Sequence, residues 1–264
     1  MEWDKLTSHD FVKAVRTSQR VCLLPIGCIE KHGDHLPLGT DVLYVNRLCV
    51  QTAEKEPAVV FPYFYLSQIS EAKHQPGTIA IKPELLIPLL ESICDEISRN
   101  GLKKIIIVNG HGGNSSMLQY FLMTLLSKEK DYTVYCVSWY EGGADTGKDF
   151  LEAIHDGHGG EIETSGIMHY YPGLAKTPKS QKAFPLKRLS HLHANGISTP
   201  LDWYSNYPDH LCADGTPGSS EKGERMTEIQ MKKLIRQIKL VKGDKATPAL
   251  YREFIKKAKG CIDI

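Results

Sequence analysis

The chain has 264 residues, 41% hydrophobic and 24% charged, a length that suits one α/β enzyme domain with a large core. Its 32 basic and 31 acidic residues leave a formal net charge of +1, which argues against a general nucleic-acid surface and, with the apolar content, against disorder. No run approaches the roughly 18–20 apolar residues of a membrane span, the N-terminus lacks the apolar stretch of a secretory leader, and seven scattered cysteines without a CxxC read as reduced thiols. A cytoplasmic protein that binds neither nucleic acid nor membrane is expected.

Apolar runs and helical patterns alternate along the chain. Residues 20–28 read as a buried strand, with Pro25 marking its end or an edge position. Thr40 or Asp41 can cap a helix over 42–55. A short strand follows at 58–66, then a polar loop. Residues 83–99 open with proline at a first helical position, repeat apolar residues with a 3.6-residue period and stop at Asn100-Gly101. The run KKIIIVN is a strand that enters the turn GHGGN, from which Asn114 or Ser115 starts a helix over 116–128. Residues 132–139 form a further strand, and helices are expected over 147–155 and from about 161. From 172 to 217 the chain is rich in Pro, Gly, His and Asn. Such an irregular stretch serves either function or assembly. An amphipathic helix ends near Gly243.

This order predicts an α/β fold: a three-layer α/β/α sandwich with a mostly parallel sheet, formed by residues 1–264 as a single domain. Ligands on such sheets bind outside the strand carboxyl ends. Three polar clusters fall where those ends should be. The first holds Glu30 and His32, which point to one side of an extended chain, and Asp41 at a helix start. Two carboxylates and an imidazole suit zinc, manganese or iron, although Asp41 also reads as a simple helix cap. The second is His111, held between glycines at the end of a buried strand. The third is His158 with Glu161 and Glu163 at a helix N-terminus, where the acids also read as ordinary first-turn residues. Together they can form a dinuclear site with one bridging carboxylate.

The strings LLPIGCIEKHGDHLPLGTD, NGHGGN and HGGEIETS, in that order, resemble the creatininase (creatinine amidohydrolase) family. HQPGTI at 74–79 and ADGTPGSSEKGE at 213–224 support the resemblance, which runs from about residue 20 to 230. It implies two divalent metal ions per chain, zinc first, with manganese or iron as alternatives. Glu30, Asp41 and His111 would hold one; His32, Asp41 and Glu163 the other, with Asp41 bridging. Glu163 replaces a family carboxylate whose position is Gly113 here. His158 matches the family's proton-shuttling histidine. The activity implied is hydrolysis of a small cyclic amide, formamide or related carbonyl compound, and the assembly implied is a homo-oligomer, a hexamer in many relatives. The substrate-packing aromatics are reduced to Trp139, with Ile154 at a second such place.

Two other readings remain: opening of a keto-inositol ring, and a non-catalytic metal- or ligand-binding protein on the same scaffold. GGADTGKD at 142–149 fails as a phosphate loop because Asp149 stands where Ser or Thr is needed. His191 and His193 read as solvent-loop histidines. YYPG at 170–173 and Trp203-Tyr204 suit a pocket or a subunit interface, with the interface preferred. The 66–76 and 172–217 loops are expected to set the pocket's size.

Overall fold

The computed structural model describes residues 1–138, 150–179 and 182–260. Trp139, residues 142–149, the start of the helix expected over 147–155 and Cys261 lie outside the described residues. Four parallel strands, β1 (Val21–Ile26), β2 (Val59–Val60), β3 (Lys104–Asn109) and β4 (Thr133–Ser138), form a sheet in the order β2-β1-β3-β4. The helices are α1 (Ser8–Thr17), α2 (Thr40–Lys55), α3 (Pro83–Arg99), α4 (Asn114–Thr124), α5 (Glu161–Tyr170), α6 (Ser190–His193), α7 (Asp202–Asn206), α8 (Ser220–Gly243) and α9 (Ala246–Ala258).

β1, β2 and nearly all of β3 are buried on both faces, which is why they read as unbroken apolar runs, while the edge strand β4 is half-buried. Alternate residues serve opposite layers. Val21, Leu23, Ile106 and Val108 pack with residues of α2 and α8, such as Leu48 and Ile238. Cys22, Leu24, Ile105 and Ile107 pack with residues of α1, α3 and α4, such as Ala14, Ile97 and Phe121. The expected three layers follow from this division.

Pro25 sits in β1, a central strand, rather than at an edge. Its carbonyl accepts the Phe64 N–H at 2.9 Å, so its own missing N–H faces the side where β2 has already ended. No ladder bond is lost. The strand expected over 58–66 shrinks to two residues, although Phe61 and Phe64 still donate to Leu23 and Pro25. The helix expected over 147–155 is not formed across 151–155. There the backbone N–H groups of Glu152 and Ala153 donate at 2.8 and 2.7 Å to the buried Glu161 carboxylate instead. Helices α1 and α9 carry no expectation from the sequence; α1 is capped by Thr7, whose hydroxyl accepts the Asp10 N–H. None of the six described cysteines forms a disulfide, and no described helix is long and apolar enough to cross a membrane.

Strand order reverses between β1 and β3. The chain leaves β1 for β2 on one side and reaches β3 on the other, so the loops after β1 and β3 diverge and leave a crevice at their carboxyl ends. Gly110 lets α2 close over that crevice: a Cβ there would lie 2.9 Å from the Asp41 carbonyl oxygen and from Val45 Cβ.

Candidate metal centre

Beyond β1 the chain keeps its alternation, and Cys28, Glu30 and His32, all buried, turn to one side. The segment is pinned by backbone bonds from Glu30 to Leu38 and from Ile79 to Ile29. Asp41 is not a cap. Gly39 occupies the N-cap without a side-chain bond, and Asp41 lies in the first turn of α2 with its carboxylate turned inward. Its Oδ1 is 3.1 Å from His32 Nε2 and its Oδ2 is 2.9 Å from His111 Nδ1. His111 is set by the turn after β3, where the Asn109 side-chain oxygen accepts both the His111 N–H and an Asn114 amide proton.

The two first-turn acids of α5 separate. Glu161 is buried away from the centre, held by the two loop N–H groups and by Lys222. Glu163 reaches the centre, its Oε2 accepting the Gly159 N–H at 2.6 Å and standing 3.6 Å from His32 Nε2. His158 Nε2 lies 2.7 Å from the Lys31 carbonyl, so it carries the proton and leaves Nδ1 facing Glu30 Oε1 at 3.9 Å. Its ring lies against His32, with centroids 4.2 Å apart.

Thus six of the seven residues in the three sequence clusters, all but Glu161, meet at one place, joined by two that the sequence does not single out. Cys28 Sγ is 3.2 Å from Glu30 Oε1 and 3.1 Å from Asp41 Oδ2. His210, from the irregular stretch, donates through Nε2 to Glu30 Oε2, and Trp203 Nε1 donates to its Nδ1 at 2.8 Å, which fixes the tautomer. Cys28 is legible from the same alternation that gives Glu30 and His32. His210 carries no such signal, because 180 residues separate it from Glu30.

Burial and mutual charge compete over the protonation of this cluster. Burial alone would raise Glu30, but the imidazoles of His111 and His158 and hydrogen bonds from His111 and His210 hold it well below the usual carboxylate range. Asp41 is likewise lowered against its burial by His32 and His111. For His32 burial is outweighed by Asp41 and Glu163, which push it up to about 10, and for His111 by Glu30 and Asp41. Burial, aided by Asp41 and Glu30, raises Glu163 to about 8. Burial, with His32 and His210, lowers His158 to about 3.

The donors fit divalent cations. Ligand atoms of Cys28, Glu30, Asp41 and His111 lie within 4.8 Å of one another, as do those of His32, Asp41 and Glu163, and those of Glu30, His32 and His158. Imidazole nitrogens and carboxylate oxygens at this spacing are the ligand chemistry of zinc and its neighbours. Asp41 belongs to two of the groups with a different oxygen in each.

A cavity of about 980 Å³ opens over the centre. Its walls include Glu71 from the 66–76 loop and Trp203, His210 and Cys212 from the 172–217 stretch. Trp203 lines the pocket, whereas Tyr204 is exposed and packs under Arg188. His191 and His193 lie on α6 and do not line the pocket; both are exposed, and His193 pairs with Asp202. Gly113 stands between His111 and Glu71: a Cβ there would be 2.5 Å from His111 Nε2 and 2.8 Å from Glu71 Oε1. His111 Nε2 is buried with no partner among the described residues.

The profile of the creatininase family, described as creatinine amidohydrolase, matches residues 4–238. The chain is 28% identical to a creatinine amidohydrolase of Pseudomonas putida over 85% of this chain and 91% of that one. It is 26% identical to a 3-dehydro-scyllo-inosose hydrolase of Thermotoga maritima over 86% and 81%. Its fold superposes on a mutant creatininase of Zn-Zn type with a TM-score of 0.74 at 25% identity, covering 92% of this chain and 98% of the other. With the family match spanning most of its length, the chain belongs to the creatininase family.

Proposed function

We propose that this protein is a dinuclear metal-dependent hydrolase acting on a small amide or related carbonyl compound. The observation that carries the reading is Asp41, whose two oxygens face two different buried donor sets. Glu30 and His111 would complete one position; His32 and Glu163 would complete the other. When bound, two such cations polarise a carbonyl and lower the pKa of water.

The chain's own groups supply the rest. His158 is kept neutral by burial, with its Nδ1 lone pair toward the centre and its Nε2 proton tied to Lys31, so it can accept a proton at Nδ1 and return it to a leaving group. His111 Nε2, without a partner among the described residues, can bond a polar atom of the substrate at the cavity wall. Trp203, Leu151 and Ile162 give that wall apolar surface, which suits a compact substrate with few charged groups. The relatives that hydrolyse creatinine or an inosose support hydrolysis of a small ring compound.

The test is metal content and turnover on the same preparation. Protein purified without chelator should carry about two divalent ions per chain and hydrolyse a member of a panel of cyclic amides, N-formyl amines and keto-inositols. Asp41→Ala should lose both ions and all turnover. Protein that takes up no metal on reconstitution, or an Asp41→Ala variant with full activity, overturns the reading.

A further inference from the structure

We propose that Cys28 is itself a ligand, as a thiolate, at the position shared with Glu30, Asp41 and His111, and that it biases this position toward zinc over manganese. The proposal rests on the reading of the centre as a metal site and asks which atoms form it.

Four contacts carry the argument. Cys28 Sγ lies 3.2 and 3.1 Å from Glu30 Oε1 and Asp41 Oδ2. His111 Nδ1 lies 2.9 Å from the same two oxygens. Sulfur and nitrogen offer one proton each, which satisfies two of the four contacts. The other two set a lone pair against a carboxylate oxygen among side chains that are buried. A single divalent cation among the four atoms satisfies all of them, and their mutual spacing is that of one coordination sphere. On binding, the S–H bond breaks, the proton leaves to solvent and the sulfur electron pair forms the bond to the metal.

Thiolate sulfur is the softest ligand in the cluster. Zinc outbinds manganese at nitrogen and oxygen donors already, and a soft thiolate widens that preference further. The two positions are then unequal. The one with Cys28 has four protein ligands and the one with His32, Asp41 and Glu163 has three, while Glu30 and His111 of the first and Glu163 of the second all line the cavity.

The experiment uses the full chain, stripped with chelator and titrated with cobalt(II) alone. A thiolate-to-cobalt charge-transfer band in the near ultraviolet is expected. It should persist in Cys212→Ser, whose sulfur lies beside the His158 backbone, and vanish in Cys28→Ser while cobalt still binds. In competition, Cys28→Ser should lose at least about tenfold of the zinc-over-manganese preference. Cys28→Ala, with circular dichroism on both variants, separates ligand loss from misfolding. Cobalt bound without the band, or a band surviving in Cys28→Ser, overturns the proposal and leaves the metal reading standing. Failure to bind cobalt at all overturns both.

Discussion

At the residue scale, Asp41 shows how one side chain is diverted from a local role to a distant one. An acid in the first turn of a helix is stabilised by the helix dipole wherever it points. Here it points inward, because His32 and His111 arrive from two different strand ends to meet it. His158 is held as tightly: the Lys31 carbonyl accepts its Nε2–H, and Cys212 Sγ accepts its backbone N–H at 3.1 Å. If it moves a proton rather than holding a metal, His158→Ala should keep the metal content and slow turnover by roughly 10²–10⁴. Its Nδ1 also lies within the Glu30–His32 group, so loss of metal from His158→Ala would make it a ligand instead. Steady-state kinetics and elemental analysis of one variant distinguish the two.

At the scale of elements, the centre depends on how closely α2 approaches the ends of β1 and β3. Gly110 is the contact point, with no room for a methyl group against Asp41 and Val45. Gly110→Ala should push the start of α2 outward, cost about 1–3 kcal/mol of stability by overpacking, and weaken metal binding because Asp41 moves with the helix. Denaturant unfolding and a metal titration on the same variant check both effects. An alanine variant with wild-type stability and metal affinity would show that the helix is not seated by this contact.

At the scale of the whole molecule, stability, pH and metal are linked. In the metal-free chain Glu163 is raised to about 8 and His32 to about 10, above their ordinary values of 4.5 and 6.5. Between about pH 6.5 and 8 the folded state therefore holds protons that the unfolded chain has released, and stability falls as pH rises through that window. Divalent cations displace the same protons and bind more tightly as pH rises, stabilising the fold by mass action. The thermal midpoint of metal-free protein should drop from pH 6.5 to 8, and its distance from the zinc-loaded midpoint should widen. A metal-free midpoint that climbs over this range would contradict the assignment of protons to Glu163 and His32.

The sequence by itself determined what local periodicity controls. Buried parallel strands announce themselves as apolar runs, and α3 by its proline start and 3.6-residue repeat. The side-to-side alternation after β1 brings Glu30 and His32 to one point, and applied two residues earlier it includes Cys28. The order of the motifs, with the glycine-flanked His111 and the His158–Glu163 segment, was enough to indicate the family. Tertiary structure decided everything that depends on partners far along the chain. Two neighbouring acids at the start of α5 look alike in sequence, yet Lys222 and two loop amides claim Glu161 while Glu163 turns to His32. The same loop amides undo the helix expected through 151–155. Trp203, His210 and Glu71 come from stretches without any period, so only chain closure brings them to the pocket. Periodicity encodes which side of an element a residue faces; it does not encode which distant element that side will meet.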